Sequence, residues 1–243
     1  GDILHVHLNL PQIDIETKKV WAVAFLYWIV VGALCLCLYP VTISDVMSRY
    51  APMADHFARG EWELAFHPRF GVLFQALAGG LVALSPLSGD CAAQLVSLGF
   101  LALSAPPLFL VVRELFGTRI AWGAVALLLV SDDFTRYAFD GLRDTGKCLA
   151  FALLGLGVVR KSSAAFALGL FVLITLVSYG FAVASVFVFG WCVYALWTRR
   201  YATLPLPILG WALGTAAVVS LTHAFTGHYL PSPHFIRYLG AWL

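Results

Sequence analysis

Long apolar stretches recur along this chain, and they constrain its fold more than any other feature. Between residues 20 and 221, eight stretches of 12 to 22 residues contain no Asp, Glu, Lys or Arg. A helix needs about 20 apolar residues to cross a hydrocarbon core of about 30 Å. Because 61% of the residues are hydrophobic and only 12% are charged, we predict an all-α, polytopic membrane protein with one transmembrane domain over residues 1–243.

The basic residues indicate how the apolar stretches are oriented, since short loops rich in Lys and Arg stay on the cytoplasmic side. Four basic pairs flank the stretches, at Lys18-Lys19, Arg113 and Arg119, Arg160-Lys161, and Arg199-Arg200. All four share one side only if the 15-residue stretch 70–84 does not cross. We therefore predict seven crossings, at residues 20–39, 91–112, 120–131, 148–159, 163–177, 180–197 and 205–221. Residues 1–19 are then cytoplasmic, and the loop 40–90 and the tail 222–243 lie outside.

The charge distribution excludes several classes of function. A net charge of +2 without a basic tract gives no indication of nucleic-acid binding. Ion-coupled transporters usually place charged residues within the membrane, and none of the seven predicted spans contains Asp, Glu, Lys or Arg. Nine of the thirteen acidic residues fall on the predicted outer side. Any chemistry is therefore expected at the outer membrane interface.

The first outer loop is the longest polar stretch between the apolar ones. Pro52 suits the first turn of a helix that we expect to run to about Gly60. Its apolar side chains share one face, as in a helix that lies on a membrane surface. The stretch 70–84 supplies a second juxtamembrane helix. Asp45 precedes both, where the chain leaves the first apolar stretch.

Four short fragments follow one another in a characteristic order. The first loop has the pattern D-x4-Y-x3-A-x5-G-x-W, at Asp45, Tyr50, Ala54, Gly60 and Trp62. The later fragments read HPRFGVLF (67–74), RELFGTR (113–119) and RYAFDGLRD (136–144). Together they resemble the GT-C glycosyltransferases, in particular the branch of protein O-mannosyltransferases and lipid A aminoarabinose transferases. The resemblance covers about residues 18–200.

This resemblance implies a function and a set of site residues. Family members move a sugar, with inversion, from a polyprenyl-phosphate carrier to an acceptor on the outer side. In a bacterial inner membrane that side faces the periplasm. The resemblance implies Asp45 as general base and Asp144 as a second catalytic carboxylate. It implies that the lipid phosphate binds at His67, Arg69, Arg143 and Lys147. The implied partners are the lipid-linked sugar and membrane lipid, and no nucleic acid.

Structural interpretations of the same residues stay open. Asp45 can cap a helix, and Asp140 or Asp144 can pair with Arg143 or Lys147. Arg69 and His67 can anchor to headgroups. A divalent cation at Asp45, Asp55 and His56 is an alternative, but we predict no metal site and no certain cofactor.

At the level of function, the alternative is a non-catalytic GT-C-like subunit of a membrane complex with protein partners. It is favoured by the fragment 67–69, which lacks the family's double proline and lysine. It is also favoured by a difference in length, because family members usually continue with further helices after a seventh crossing. The presence of Asp45, Tyr50, Arg143 and Asp144 favours an enzyme.

Overall fold

The computed structural model of the protein describes residues 14–39, 46–66, 71–177 and 180–227. Within these ranges the chain forms eleven α-helices, one π-helical turn and one 3-10 turn, with no β-strand. The helices are α1 (Ile15–Leu38), α2 (Ala51–Ala58), α3 (Trp62–Ala65), α4 (Val72–Leu84), α5 (Gly89–Phe116), α6 (Thr118–Val130), α7 (Asp132–Phe139), α8 (Asp144–Arg160), α9 (Ser163–Leu176), α10 (Gly180–Trp197) and α11 (Pro205–Thr226). The π-helical turn is Val46–Tyr50, and the 3-10 turn is Tyr201–Thr203. This confirms an all-α fold for the described residues.

Helix α5 is the centre of the bundle. Its 28 residues span about 42 Å at 1.5 Å per residue. It packs against α1, α6 and α8 along its length, and against α2 and α4 near its start. In the most apolar 18-residue segment of α5, 61% of the residues are buried, whereas 22% are buried in the corresponding segment of α1. Helix α1 therefore lies at the edge, with large apolar side chains exposed.

The second half of the chain adds a layer in which α9 packs between α8 and α11. Small residues bring these helices close together. A Cβ on Gly169 would lie 2.9 Å from the backbone nitrogen of Leu154, and one on Gly210 would lie 2.5 Å from the Ala167 carbonyl oxygen. Close approach through small residues is the usual way in which helices associate without a hydrophobic drive from water.

Polar contacts join helix ends at one side of the bundle. Arg113, near the end of α5, lies 2.9 Å from Asp14, which caps α1. Arg160, the last residue of α8, lies 2.8 Å from Glu114. The Trp122 indole N–H of α6 donates to Glu16 over 3.0 Å. We call this side the basic end, because it carries Lys18, Lys19, Arg113, Arg119, Arg160, Lys161, Arg199 and Arg200.

The opposite side, which we call the acidic end, carries Asp140 and Asp144 of the α7–α8 segment. The Tyr39 hydroxyl, at the end of α1, donates to Asp140 over 3.2 Å. The Gln94 amide, near the start of α5, donates to the Phe139 carbonyl over 2.9 Å. Basic residues therefore outnumber acidic ones at the basic end, whereas Arg136 and Lys147 lie close to Asp140 and Asp144 at the acidic end.

The loop 40–90 contains the two helices that were expected in it. The helix predicted from Pro52 is α2, with that proline in its first turn, and the stretch 70–84 forms α4. Gly71, just before α4, packs against the Leu176 backbone at the end of α9. Gly89, just after it, packs against the Ala51 carbonyl. Both ends of α4 therefore lie at the acidic end.

Four described helices are long and apolar enough to cross a membrane, namely α1, α5, α10 and the segment Tyr201–Phe225. Helices α6 and α9, with 13 and 14 residues, are shorter. At 1.5 Å per residue α6 spans about 20 Å, less than a hydrocarbon core of about 30 Å. The helix lengths are those of a membrane protein, and the count of seven crossings stays a prediction.

Candidate functional site

The turn between α7 and α8 is fixed to α5 by buried polar side chains. Ser97, which is fully buried, donates to the Leu142 carbonyl over 2.5 Å and lies 2.9 Å from the Thr145 hydroxyl. Gln94 donates to the carbonyls of Tyr39 and Phe139. Buried polar groups need such partners, so these bonds hold the turn, and with it the start of α8, in one place.

Gly141 permits the close contact between this turn and α5. Its φ is +70°, a conformation that glycine adopts without a steric penalty. A Cβ there would lie 3.1 Å from the backbone nitrogen of Gln94. The residue that follows Leu142 is Arg143, so the turn sets where this side chain leaves the backbone.

Arg143 meets Tyr50 from the first outer loop. Its guanidinium carbon lies 5.9 Å from the centroid of the Tyr50 ring, within the range of a cation–π contact. The Tyr50 ring is buried and lies 5.5 Å from the ring of Phe74 in α4. Phe74 in turn packs on Phe100 of α5. Residues of the loop 40–90 and of the α7–α8 turn therefore converge on the first half of α5.

Asp144 and Lys147 form an ion pair on the first turn of α8. Their side chains are 41% and 29% exposed, so water and ligands can reach both. A carboxylate in the first turn is also favoured by the helix dipole. The predicted alternative of a local Asp144–Lys147 pair is confirmed. A catalytic role for Asp144 requires this pair to open.

Asp140 has a different environment. Its side chain is 3% exposed, accepts a hydrogen bond from Tyr39, and lies 3.9 Å from Arg136. The expectation that it pairs with Arg143 or Lys147 is wrong. The turn directs its carboxylate toward the end of α1 instead, where it links α1 to α7.

Three predicted site residues, Asp45, His67 and Arg69, lie outside the described residues. Their roles stay predictions. The described chain resumes after Asp45 at Val46, which is fully buried. On either side of the 67–70 segment, Phe66 stacks on Phe225 of α11 with ring centroids 5.2 Å apart, and Gly71 contacts Leu176. A Cβ on Gly146 of α8 would also meet Leu176.

An apolar cavity of about 650 Å³ lies between α5, α6 and α8. We call it the α6–α8 groove. Its wall on α8 includes Cys148, Phe151 and Gly155, which follow Asp144 at spacings of four, seven and eleven residues. Such residues share one helical face, so Asp144 stands one turn above the groove. Sequence analysis did not identify it, although this spacing is visible in the sequence.

The alternative of a divalent cation finds no support in the described ranges, where no cluster of three or more His, Cys, Asp or Glu residues is placed to bind a metal. Asp45, one of the three residues considered, is outside those ranges. The His56 ring nitrogen Nδ1 lies 2.5 Å from Glu61. This hydrogen bond, with help from the Arg59 guanidinium, holds the pKa of the Glu61 carboxyl below its usual range.

Comparison of the chain with protein-family models, with curated proteins and with solved structures gives no match. The resemblance to GT-C glycosyltransferases therefore rests on the four fragments and on their places in the fold. Tyr50, Phe74 and Arg143 belong to three different fragments and lie together at the acidic end. The fourth fragment, 113–119, lies at the basic end, where Arg113 contacts Asp14.

Proposed function

We propose that the protein is a membrane glycosyltransferase that moves a sugar from a polyprenyl-phosphate carrier to an acceptor at the acidic end. In this proposal that end faces the periplasm of a bacterial inner membrane. The supporting observation is the contact between Tyr50 and Arg143, because it joins two fragments that resemble the family at the acidic end.

Arg143 and Lys147, with His67 and Arg69, are proposed to hold the lipid phosphate. A guanidinium can bind two phosphate oxygens at once, and an ammonium adds a compact positive charge. Lys147 is paired with Asp144 in the structure. When a phosphate binds, Lys147 can exchange this carboxylate for the phosphate oxygens. The Asp144 carboxylate is then left free at the site.

The transfer step needs a base at the acceptor hydroxyl. Asp45 is proposed to accept the hydroxyl proton as the oxygen attacks the anomeric carbon, with Asp144 as the second candidate. The bond between that carbon and the phosphate oxygen breaks, and polyprenyl phosphate leaves with its electron pair. The configuration at carbon is inverted, as the resemblance implies.

The α6–α8 groove is proposed to hold part of the prenyl tail. Its lining is almost entirely apolar, with Leu108, Leu127 and Phe151 among its wall residues. An isoprenoid chain enters the groove from the apolar interior of the membrane, so its binding removes little apolar surface from water. The gain is therefore mainly in positioning. With Asp144 and Lys147 one turn above, a lipid phosphate would sit at the groove's outer mouth.

Release of polyprenyl phosphate from a panel of polyprenyl-phosphate sugars tests this proposal. The wild-type protein in liposomes is expected to release it from at least one donor. Asp45→Asn is expected to lower the rate about 10²–10⁴-fold, the usual contribution of a general base. Asp133→Asn, an exposed carboxylate of α7, serves as the matched control and should leave the rate unchanged. A normal rate for a well-folded Asp45→Asn protein removes Asp45 from the mechanism.

The second candidate is a non-catalytic subunit of a membrane complex. It is favoured by the closed Asp144–Lys147 pair, which occupies the carboxylate and the cation that the enzyme needs. Under this hypothesis the protein releases polyprenyl phosphate from no donor, and Asp144→Asn changes neither donor binding nor turnover.

A further inference from the structure

Two non-glycine residues in the described ranges have a left-handed backbone, and both are basic. They are Lys161, with φ of 53°, and Arg199, with φ of 54°. Each follows the end of a helix that runs to the basic end. Hydrogen bonds from Ser162 to the Gly157 carbonyl and from Arg200 to the Ala195 carbonyl, both 2.8 Å, close these ends. Glycine usually occupies such positions because it adopts this conformation without a steric penalty.

Lys161 stands at the mouth of a cleft of about 430 Å³ between α8 and α10. Val158 and Lys161 belong to one wall, and Gly190 and Tyr194 belong to the other. We call this space the α8–α10 cleft. It lies within the size range of small-molecule sites, and its interior is apolar apart from the mouth.

The floor of the cleft is preformed. The rings of Phe166 and Trp191 have centroids 4.4 Å apart. The Trp191 indole N–H donates to the Thr203 carbonyl over 3.1 Å, and the side chain is 4% exposed. Because these rings are held by packing and a hydrogen bond, the cleft does not need to be opened by a ligand.

The charge at the mouth is available to a ligand. Arg160 is paired with Glu114, whereas Lys161 has no acidic partner among the residues that the structure describes. An apolar cleft in the membrane with one lysine at its interfacial mouth matches the chemistry of an anionic phospholipid. The acyl chain suits the cleft, and the phosphate suits the ammonium.

We propose that the α8–α10 cleft binds one acyl chain of an anionic phospholipid from the leaflet that borders the basic end, with Lys161 contacting the phosphate. The site lies at the end opposite to Tyr50 and Arg143, and it does not depend on the proposed glycosyltransferase activity. A zwitterionic phospholipid with the same chains fills the cleft equally well but presents no net negative charge, so the site prefers the anionic lipid.

A substitution that fills the cleft tests whether the cleft binds the acyl chain. Gly190 lines the cleft, and a Cβ there meets no heavy atom within 4 Å, so Gly190→Leu is expected to extend a side chain into the cleft. Phosphatidylglycerol and phosphatidylcholine retained by the protein are counted by native mass spectrometry. Gly190→Leu is expected to weaken the tightest phosphatidylglycerol site at least about tenfold, because a loss of about 1.4 kcal/mol in packing contacts between the acyl chain and the cleft wall suffices. Gly123→Leu of α6, whose Cβ also meets open space, is the control and leaves the site unchanged.

Removing the charge tests the phosphate contact. Lys161→Gly deletes the ammonium and relieves the left-handed backbone, so the melting temperature is expected to hold or rise. The preference for phosphatidylglycerol over phosphatidylcholine is expected to fall roughly fivefold. Arg119→Gln, an exposed basic residue at the same end, should keep the preference. Equal losses in Lys161→Gly and Arg119→Gln would overturn the proposal, since they indicate general surface attraction. An unchanged site in Gly190→Leu would overturn it as well.

Discussion

At the scale of single residues, the two carboxylates of the α7–α8 segment differ in what surrounds them. Asp140 is buried and accepts a hydrogen bond from Tyr39. Asp144 is 41% exposed and pairs with Lys147 within its own helix. A buried group that loses its partner costs much more than an exposed ion pair does. The first carboxylate therefore serves the fold, and the second is available for function.

Alanine substitutions at these two positions should separate the roles. Asp140→Ala removes the hydrogen bond from the Tyr39 hydroxyl to the buried carboxylate, and we expect a loss of about 1–3 kcal/mol in the free energy of unfolding, as for other hydrogen bonds to charged groups. Asp144→Ala removes an exposed pair, and we expect a loss below about 1 kcal/mol. Denaturant unfolding in detergent measures both. Equal losses would show that the two environments are not distinct.

Asp14 provides a pH-dependent contribution at the basic end. The backbone N–H of Thr17, and to a lesser extent Arg113, lower the pKa of its carboxyl from 3.8 to about 2, while burial acts in the opposite direction. A lowered folded-state pKa stabilises the protein above the unfolded value, and this contribution is lost as the pH falls. We expect the melting temperature to fall between about pH 4 and pH 2 partly for this reason. In Asp14→Asn, which keeps a capping side chain, that part of the fall should be absent.

At the scale of elements, glycines determine how α4 is seated. A Cβ on Gly71 would lie 2.1 Å from the carbonyl carbon of Leu176, a backbone atom that cannot move aside alone. A Cβ on Gly80, within the same helix segment, meets no atom within 4 Å. The start of α4 is therefore held against the end of α9, whereas its middle has room on one face.

Alanine at these two glycines should have opposite effects. Gly71→Ala forces α4 away from α9, and we expect a loss of about 1–3 kcal/mol, as for other overpacked sites. Gly80→Ala gains helix propensity, and we expect no loss or a gain of up to about 1 kcal/mol. The fraction of protein that stays monodisperse after heating in detergent reports both. A Gly71→Ala protein as stable as the wild type would contradict the close contact.

Much of the element pattern could be predicted from the sequence, because apolar stretches and proline act locally. Pro52 correctly indicated the start of α2, and the charge-free stretch 70–84 indicated α4. The partner of Asp140 could not be predicted, since Tyr39 lies about a hundred residues away and no local pattern connects them. The same holds for Ser97 and Gln94, whose hydrogen bonds fix the α7–α8 turn. The contact between Tyr50 and Arg143 could not be predicted either, because it joins two residues that are far apart in the sequence.

At the scale of the whole molecule, the two ends of the bundle differ in their excess of basic residues. Contacts between helix ends place Arg113 and Arg160 on one side, and Asp140 and Asp144 on the other. The four basic clusters can share one end only if α4 starts and finishes at the other end. Both ends of α4 do lie at the acidic end. The positive-inside tendency predicts that the basic end faces the cytoplasm.

Cysteine labelling in intact cells should report this orientation. After replacement of the five free cysteines, single cysteines are placed at Thr118 and Ser162 of the basic end, and at Ser48 and Asp133 of the acidic end. An impermeant maleimide is expected to label the second pair only. If Thr118→Cys and Ser48→Cys react from the same side, the proposed arrangement is wrong.

The central claim is that Arg143, held against Tyr50, binds a polyprenyl phosphate, and the affinity for undecaprenyl phosphate tests it most directly. We expect Arg143→Gln to raise the dissociation constant about tenfold to a hundredfold, the usual effect of losing a charge-assisted hydrogen bond, while the melting temperature changes little. Arg136→Gln, whose side chain is 71% exposed in the same fragment, should bind as the wild type does. A dissociation constant in Arg143→Gln equal to that of the wild type would contradict the claim.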